Sequence, residues 1–504
     1  MTGRGIDRSW RSWLAFRSER AAHRVRASGA GLFVTTLLLA GLGHRELYSS
    51  HEARAAQNAQ RMLDTGEWGI PVLFDGRIDL QKPPAYYWAV AVVGWLNGGQ
   101  VTEWVVRLPA ALAGLLAVGL VYGHLRREGR PTAAVISALA LATACHFTAI
   151  ARTARVDVPL TSIILVSLLA FVRGCRNSSI AWHLISGSAA GLAVLLKGPV
   201  ALALVGPTAV VWFVVERRFG SVRLPLASVV LGPLVVAALA GPWFFWADRV
   251  TDGEFLRVFF WHHTVARFTG SSPLLAQHPT WYYLPRLAID FLPWTPLLLG
   301  LLFWAARTGQ WTRDPAFRLG AISATVTVLV LSAAKFKRAD YLLPAYPGLA
   351  LALGTAAEAW LAARRERLTV RRAKTVFLGL LGLVVVGWLV MFFIVEPATA
   401  GKETKRAFAR VIRTHAPAPH LVLQFRYESH LLSFHLGRPV RTLVEWGELN
   451  DLLTGPGPHF VVMPREYVFA AQEICTGRRL VEIARLSDFT TEEPERELVF
   501  LRAE

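Results

Sequence analysis

Short polar breaks in an otherwise apolar chain carry the residues that could do chemistry. The first holds His51-Glu52-Ala53-Arg54 and, further on, Lys82; later ones hold Arg152, Arg155 and Asp157, then Lys197, then Arg267, then Lys335, Lys337, Arg338, Asp340 and Tyr341. Carboxylates and imidazoles can take up a proton, so Glu52, Asp157 and His51 are candidate bases. Lysine and arginine stabilise phosphate oxygens through charge and directed donors, so the gathered cations point to an anionic ligand, and a phosphate ester at the membrane surface fits them. One base and a set of cations suffice for glycosyl transfer from a lipid phosphate. Two carboxylates are equally compatible with hydrolysis of a glycosidic bond, so residue types leave the reaction class open.

The elements that must position these groups follow from composition. The chain has 504 residues, 53% of them hydrophobic and 18% charged, with mean hydropathy +0.38, which is the make-up of a polytopic membrane protein. Its net charge of +19 is spread in small clusters between apolar runs. A nucleic-acid binder would crowd the cations into one domain; dispersed clusters instead orient membrane spans. Cys145, Cys175 and Cys475 lie far apart and form no disulfide framework or metal motif.

Residues 1–28 are rich in arginine, which predicts a cytoplasmic tail by the positive-inside rule. Gly29 to Tyr48 then makes a first span, and residues 49–107 form the first external loop. Arginine clusters near 126–130, 173–176, 217–223, 307–318 and 364–374 mark cytoplasmic breaks. The alternation predicts about eleven to thirteen spans of about twenty residues each, so that residues 29–396 form a transmembrane domain. From 397 to 504 charged and Pro/Gly-broken sequence alternates strand-like runs (421–425, 460–463, 498–501) with amphipathic helical stretches (404–414, 444–453). This order predicts a small extracytoplasmic α/β domain.

Blander roles compete for several residues. Glu52 could pair with Arg54 on a solvated face, Asp157 could be a plain helix-start charge, and Lys197 could snorkel to the interface. His262-His263 lacks a third ligand for zinc, and no metal site is assigned. Trp243, Trp246, Trp261, Trp281 and Trp294 read as interfacial anchors. Two other function classes remain: a transporter or flippase of an anionic lipid-linked sugar, which predicts midplane charges and repeat symmetry, and a membrane-anchored binding module whose working part is residues 400–504.

The motifs as a set resemble the bacterial integral-membrane GT-C glycosyltransferases related to protein O-mannosyltransferases and to the aminoarabinose transferases of lipid A. They are His51-Glu52-Ala53-Arg54, Met62-Leu63-x-Thr65-Gly66-x-Trp68, Lys82-Pro83-Pro84-x-x-Tyr87-Trp88, Arg107-Leu108-Pro109, Ala151-Arg152-x-x-Arg155-x-Asp157, Lys197-Gly198-Pro199, Arg267-Phe268, Pro293-Trp294 and Lys335-x-Lys337-x-x-x-Tyr341. The resemblance implies a mainly α GT-C fold in the bacterial inner membrane. It implies an inverting enzyme that takes a sugar from a polyprenyl-phosphate donor to a lipid, glycan or protein acceptor outside the membrane. On matching motifs Glu52 and Asp157 are the family carboxylates, with His51 beside them. Lys82, Arg155 and Lys337 hold the donor phosphate, joined by Tyr341, Arg267 and Lys197, while Arg54, Tyr87 and Trp88 shape the loop. The family pair in the first loop is usually Asp-Glu, and here its first member is His51. Gln81 stands where an acid often precedes the Lys-Pro pair, which weakens a metal site there. No cofactor is assigned, and a divalent metal stays open.

Overall fold

The computed structural model describes residues 28–220, 222–271, 276–364, 367–395, 405–456, 458–475, 477–488 and 496–504. The expected basic tail (except Ser28) and the expected domain boundary near 396 lie outside them. The helices that build the site are α1 (Ser28–Leu39), α2 (Ser50–Thr65), α3 (Ala85–Leu96), α4 (Glu103–Arg127), α5 (Pro131–Thr143), α6 (Cys145–Ala151), α7 (Asp157–Asn177), α8 (Ile180–Lys197), α9 (Val200–Glu216) and α10 (Leu226–Val250). They are followed by a π-helical turn (Leu256–Val265), α11 (Tyr283–Asp290), α12 (Thr295–Thr308), α13 (Pro315–Ala333), a 3₁₀ segment (Ala339–Ala345), α14 (Tyr346–Ala363) and α15 (Arg367–Val390).

Among the described residues six helices are long and apolar enough to cross a membrane. Two further spans arise if each sharply bent pair counts as one: α5 with α6, bent by 65°, and Thr280–Asp290 with α12, bent by 110°. By length and composition alone, six to eight of the eleven to thirteen expected spans are accounted for among the described residues. The rest would have to be carried by shorter apolar helices such as α1 and α9. The bends have a purpose visible in the packing, because they bring His146 at the start of α6 and Asp290 at the end of α11 to within 3.7 Å.

Close helix contacts rest on small residues, as in membrane bundles generally. A Cβ on Gly348 of α14 would stand 2.6 Å from Ser323 Oγ and 2.7 Å from the Gly320 carbonyl of α13. These two backbones therefore touch directly, and α14 is buried along its first three turns.

α2 packs against α3 and α4. Ser49 caps it, its Oγ accepting from the Glu52 amide at 3.3 Å, and Gly66 ends it in the left-handed region at φ 74. Its inner face is a run of small apolar side chains, Ala53, Ala56 and Ala59, with Met62, which lets the helix sit close to its neighbours.

The C-terminal part adds α16 (Lys405–His415), β1 (Val422–Phe425), α17 (His430–Leu436), β2 (Arg441–Leu443), α18 (Trp446–Thr454), β3 (His459–Pro464), α19 (Val468–Ile474), β4 (Leu480–Asp488) and β5 (Arg496–Ala503). The sheet order is β2-β1-β3-β5-β4, with β1 parallel to β2 and β3, and β5 antiparallel between β3 and β4. Alternate residues face opposite sides. Val422, Phe460 and Phe500 pack with Phe408 and Ile412 of α16 on one face, whereas Leu423, Val461 and Leu501 pack with Leu449 and Leu453 of α18 on the other. The sheet contains β2 and β4 in addition to the three expected runs. This part docks on α2, where Gln57 Nε2 donates to the His430 carbonyl at 2.8 Å and Arg77 of the first loop meets Glu428.

Candidate active site

A cavity of about 390 Å³ opens where the first loop meets the ends of α7, α8 and α13. The ends are placed by local chemistry. Lys197 is the last residue of α8, where a cation is favoured by the helix dipole. Gly198 follows at φ 79, and a Cβ there would stand 2.4 Å from the Phe259 ring, so the turn into α9 needs glycine. Asp157 opens α7, and its carboxylate is ion-paired with the Lys197 ammonium. That ammonium also sits 4.1 Å over the Tyr341 ring.

The cavity lining is part charged and part aliphatic. Lys82, Arg155, Lys197, Arg267 and Arg338 line the cavity together with the carboxylates of Asp157 and Asp340. Leu160, Val200, Leu204, Val330 and Leu331, on α7, α9 and α13, line the same cavity. Arg267 lies 5.2 Å over the Phe336 ring, and its buried Nε has no hydrogen-bond partner among the described residues. Such a lining suits an anion joined to a long hydrocarbon chain.

Asp340 ties three elements together. Its carboxylate takes Arg155 and, at 3.2 Å, His146 Nε2, while the other imidazole nitrogen faces the Tyr346 hydroxyl at 3.1 Å. Burial pushes the Asp340 carboxyl up, but the His146 hydrogen bond and the Arg155 charge overcome this and hold it well below the usual range. Lys82 is pushed down to about 8, chiefly by burial. His51 is pushed down to about 2 by the Lys82 charge first, then by burial and by Arg155; it lines the cavity as a neutral imidazole. His263, on the π-helical turn, is lowered to about 4 by burial and then Arg267.

Several expected site residues lie elsewhere. Glu52 is fully buried and does not line the cavity: its carboxylate accepts from Arg107 Nε at 2.8 Å and Nη2 at 3.2 Å, from the Ala154 amide at 3.0 Å and from the Tyr48 amide at 3.1 Å. Burial raises this carboxyl, but the Arg107 charge and hydrogen bonds lower it further, below its ordinary value. Lys337 is also off the wall, with its ammonium on the carbonyls of His278 and Ala334; its neighbour Arg338 faces the cavity instead. Arg54 pairs with Asp79, which Asn58 and the Tyr87 hydroxyl also contact at 2.9 and 3.3 Å. Trp88 Nε1 donates to the Trp68 carbonyl at 2.6 Å. Arg54, Tyr87 and Trp88 therefore brace the first loop rather than line the cavity. Lys82, Arg155, Asp157, Lys197, Arg267, Tyr341 and His51 are brought together as expected.

His146 and Asp79 are not among the expected site residues, and Arg338 and Asp340 are expected only as charges of the polar break that holds Lys337, with no role of their own. His146 follows a bend inside an apolar run, which no sequence pattern marks. Among the described residues no group of three or more His, Cys, Asp or Glu side chains is placed to hold a metal ion.

The family model for dolichyl-phosphate-mannose-protein mannosyltransferase matches residues 81–246, which include Lys82, Arg155, Asp157 and Lys197. The chain is 31% identical over 391 residues to the undecaprenyl phosphate-alpha-4-amino-4-deoxy-L-arabinose arabinosyl transferase of Aeromonas salmonicida (strain A449), covering 75% of this chain and 68% of that protein. It is 30% identical over 332 residues to the corresponding protein of Erwinia tasmaniensis, covering 64% and 57%. An uncharacterized protein of Aquifex aeolicus is 32% identical over 319 residues, covering 63% and 61%. The chain thus spans less than two thirds of the length of several curated relatives it matches. In three dimensions it resembles ArnT from Cupriavidus metallidurans bound to undecaprenyl phosphate, with TM-score 0.74 and 22% identity over 95% of this chain and 97% of that one. The archaeal oligosaccharyltransferase AglB from Archaeoglobus fulgidus aligns with TM-score 0.51 and 14% identity, over 91% and 72%. The fold is the expected one, a helical membrane bundle with a small C-terminal sheet.

Proposed function

This chain belongs to the GT-C glycosyltransferase family that holds the undecaprenyl phosphate-aminoarabinose arabinosyl transferases and the protein mannosyltransferases, and on that premise we propose that it is an inverting glycosyltransferase using a polyprenyl-phosphate-linked sugar. The observation that carries the reading is a single cavity lined both by five cations and by aliphatic side chains. The cations fit a phosphate, and the aliphatic side chains fit the prenyl chain attached to it.

In this reading Lys82, Arg155, Arg267 and Arg338 hold the donor phosphate. Asp157, oriented by Lys197 and through it by Tyr341, takes the proton of the acceptor hydroxyl. The acceptor oxygen attacks the anomeric carbon, the bond to the phosphate oxygen breaks, and the electron pair leaves on the phosphate, which the cations stabilise. A phosphate leaving group needs no proton from the enzyme. This favours transfer over glycoside hydrolysis, because both cavity carboxylates are ion-paired and neither stands free to protonate an alcohol oxygen. His51, a neutral imidazole in the cavity lining, hydrogen-bonds the acceptor in this reading. Glu52 acts through Arg107, fastening the loop.

The setting proposed is the bacterial inner membrane, with the arginine-rich N-terminus cytoplasmic and the cavity and C-terminal sheet outside. The acceptor is a lipid, glycan or protein at that surface. The test uses membranes containing the protein and a radiolabelled polyprenyl-phosphate sugar. Label moved to an acceptor with release of polyprenyl phosphate is expected; label moved across the bilayer without cleavage would make the protein a flippase.

A further inference from the structure

The helices that end at the active site begin or finish around a second cavity. α7 runs from Asp157 to Asn177 over 21 residues, a length of about 30 Å at about 1.5 Å per residue. α8 runs the opposite way, from Ile180 to Lys197, and α4 carries Arg107 near one end and Arg127 at the other. Where their far ends meet lies a cavity of about 310 Å³.

Elsewhere at this end of the bundle the inward arginines are neutralised. Arg130 holds Asp314 at 2.7 Å and Glu358 at 2.7 Å, and Arg318 holds Glu216 at 2.6 and 3.0 Å. The arginines around the second cavity are exposed instead. Arg127, Arg173 and Arg176 line it with a single carboxylate, Glu128, which Arg176 already occupies and His124 approaches at 3.4 Å. Neither Arg127 nor Arg173 has a carboxylate partner among the described residues. Arg173 is held 4.7 Å over the Trp182 ring, an arrangement that fixes the guanidinium plane and leaves its edge donors free.

Below the arginines the wall turns apolar. Leu169 stands one helical turn before Arg173, Val166 two turns before it, and Leu120 two turns before Arg127, all lining the same space. A charged rim with an aliphatic floor matches an amphiphile, whereas a free anion would use the rim alone. Basic pockets between membrane helices bind anionic headgroups in this way.

We propose that this cavity binds the phosphate headgroup of an anionic membrane lipid, in the leaflet opposite the active site, with one acyl chain against Leu120, Val166 and Leu169. The test is native mass spectrometry of the full chain in detergent with added phosphatidylglycerol or phosphatidylcholine of the same acyl chains. The wild type is expected to bind phosphatidylglycerol at least tenfold more tightly, and an Arg127→Gln/Arg173→Gln protein to lose that preference with its melting temperature kept. Leu169→Trp, which fills the apolar half and leaves every charge in place, is expected to weaken phosphatidylglycerol binding as well. Equal binding of the two lipids by the wild type, a preference that survives in the double variant, or no effect of Leu169→Trp would overturn the proposal. So would displacement of phosphatidylglycerol by an equal concentration of inorganic phosphate, which would make the ligand a free anion.

Discussion

The Glu52 carboxylate closes on the Arg107 guanidinium through hydrogen bonds of 2.8 and 3.2 Å, with neither residue on the cavity wall. Arg107 also takes the carbonyls of Leu42, Arg45 and Glu46, so the pair fastens the entrance of the first loop to α4. Breaking a buried pair from one side leaves the other charge uncompensated, at a cost of about 3–5 kcal/mol. Glu52→Gln is therefore expected to lower the melting temperature and the yield of folded protein, while the transfer rate per folded molecule stays near that of the wild type. A normal melting temperature with transfer abolished would make Glu52 the base.

Asp157 is expected to behave in the opposite way. Asp157→Asn keeps the shape of the side chain and removes the proton acceptor, so kcat falls by about 10²- to 10⁴-fold with the KM for donor changed only a few-fold. Single-turnover transfer by the purified protein checks this. A kcat within threefold of the wild type would exclude Asp157 as base.

Adjacent loop cations separate by role. Arg267 has a buried donor without a partner, and its loss removes a charge-assisted hydrogen bond worth about 1.5–3 kcal/mol, so Arg267→Gln raises the donor KM by about ten- to a hundredfold. Lys337→Gln strips the carbonyls of His278 and Ala334 of their donor, and is expected to lower the melting temperature with donor KM unchanged. Donor titrations of both variants decide; a large KM effect from Lys337→Gln alone would reverse the assignment.

The pH profile should carry the mark of Lys82. Burial lowers its ammonium to about 8, so in the free protein the charge that attracts the donor is lost as pH rises through about 8, and kcat/KM falls on that side. A bound phosphate favours the protonated form, so the limb in kcat lies at higher pH. Stability runs the other way: between about 8 and 10.5 the unfolded chain holds the proton that the folded one has released, so this group's contribution rises with pH. Lys82→Arg is expected to remove the alkaline fall in kcat/KM, and an unchanged profile in that variant would remove Lys82 from donor binding.

Much of this was legible in the chain, for reasons that differ from residue to residue. Apolar runs of bilayer length announce spans such as α4, α7 and α10, because hydropathy depends only on composition. The broken pairs at Cys145 and Pro293 were hidden, since a window of hydropathy carries no direction. Cations on the outer breaks were visible as a class, and Lys82, Arg155, Lys197 and Arg267 do meet in one cavity. Partnership was not visible: Glu52 finds Arg107 across 55 residues and Arg155 finds Asp340 across 185. Lys337 and Arg338 are neighbours in sequence, and the path of the backbone into the 3₁₀ segment turns one inward to carbonyls and the other toward the cavity. Asp79, the hub of Arg54, Asn58 and Tyr87, gave no signal because it lies outside every motif.

In the proposed function one cavity seats a lipid phosphate beside Asp157. An electron cryo-microscopy structure of the full chain with undecaprenyl phosphate tests this most directly. The phosphate is expected within about 3 Å of donors on Lys82, Arg155 and Arg267, with the prenyl chain along Leu160, Val200 and Leu204 and the Asp157 carboxylate facing the open space beside the phosphate. A phosphate seated on the C-terminal sheet, or a prenyl chain lying outside this cavity, would contradict it.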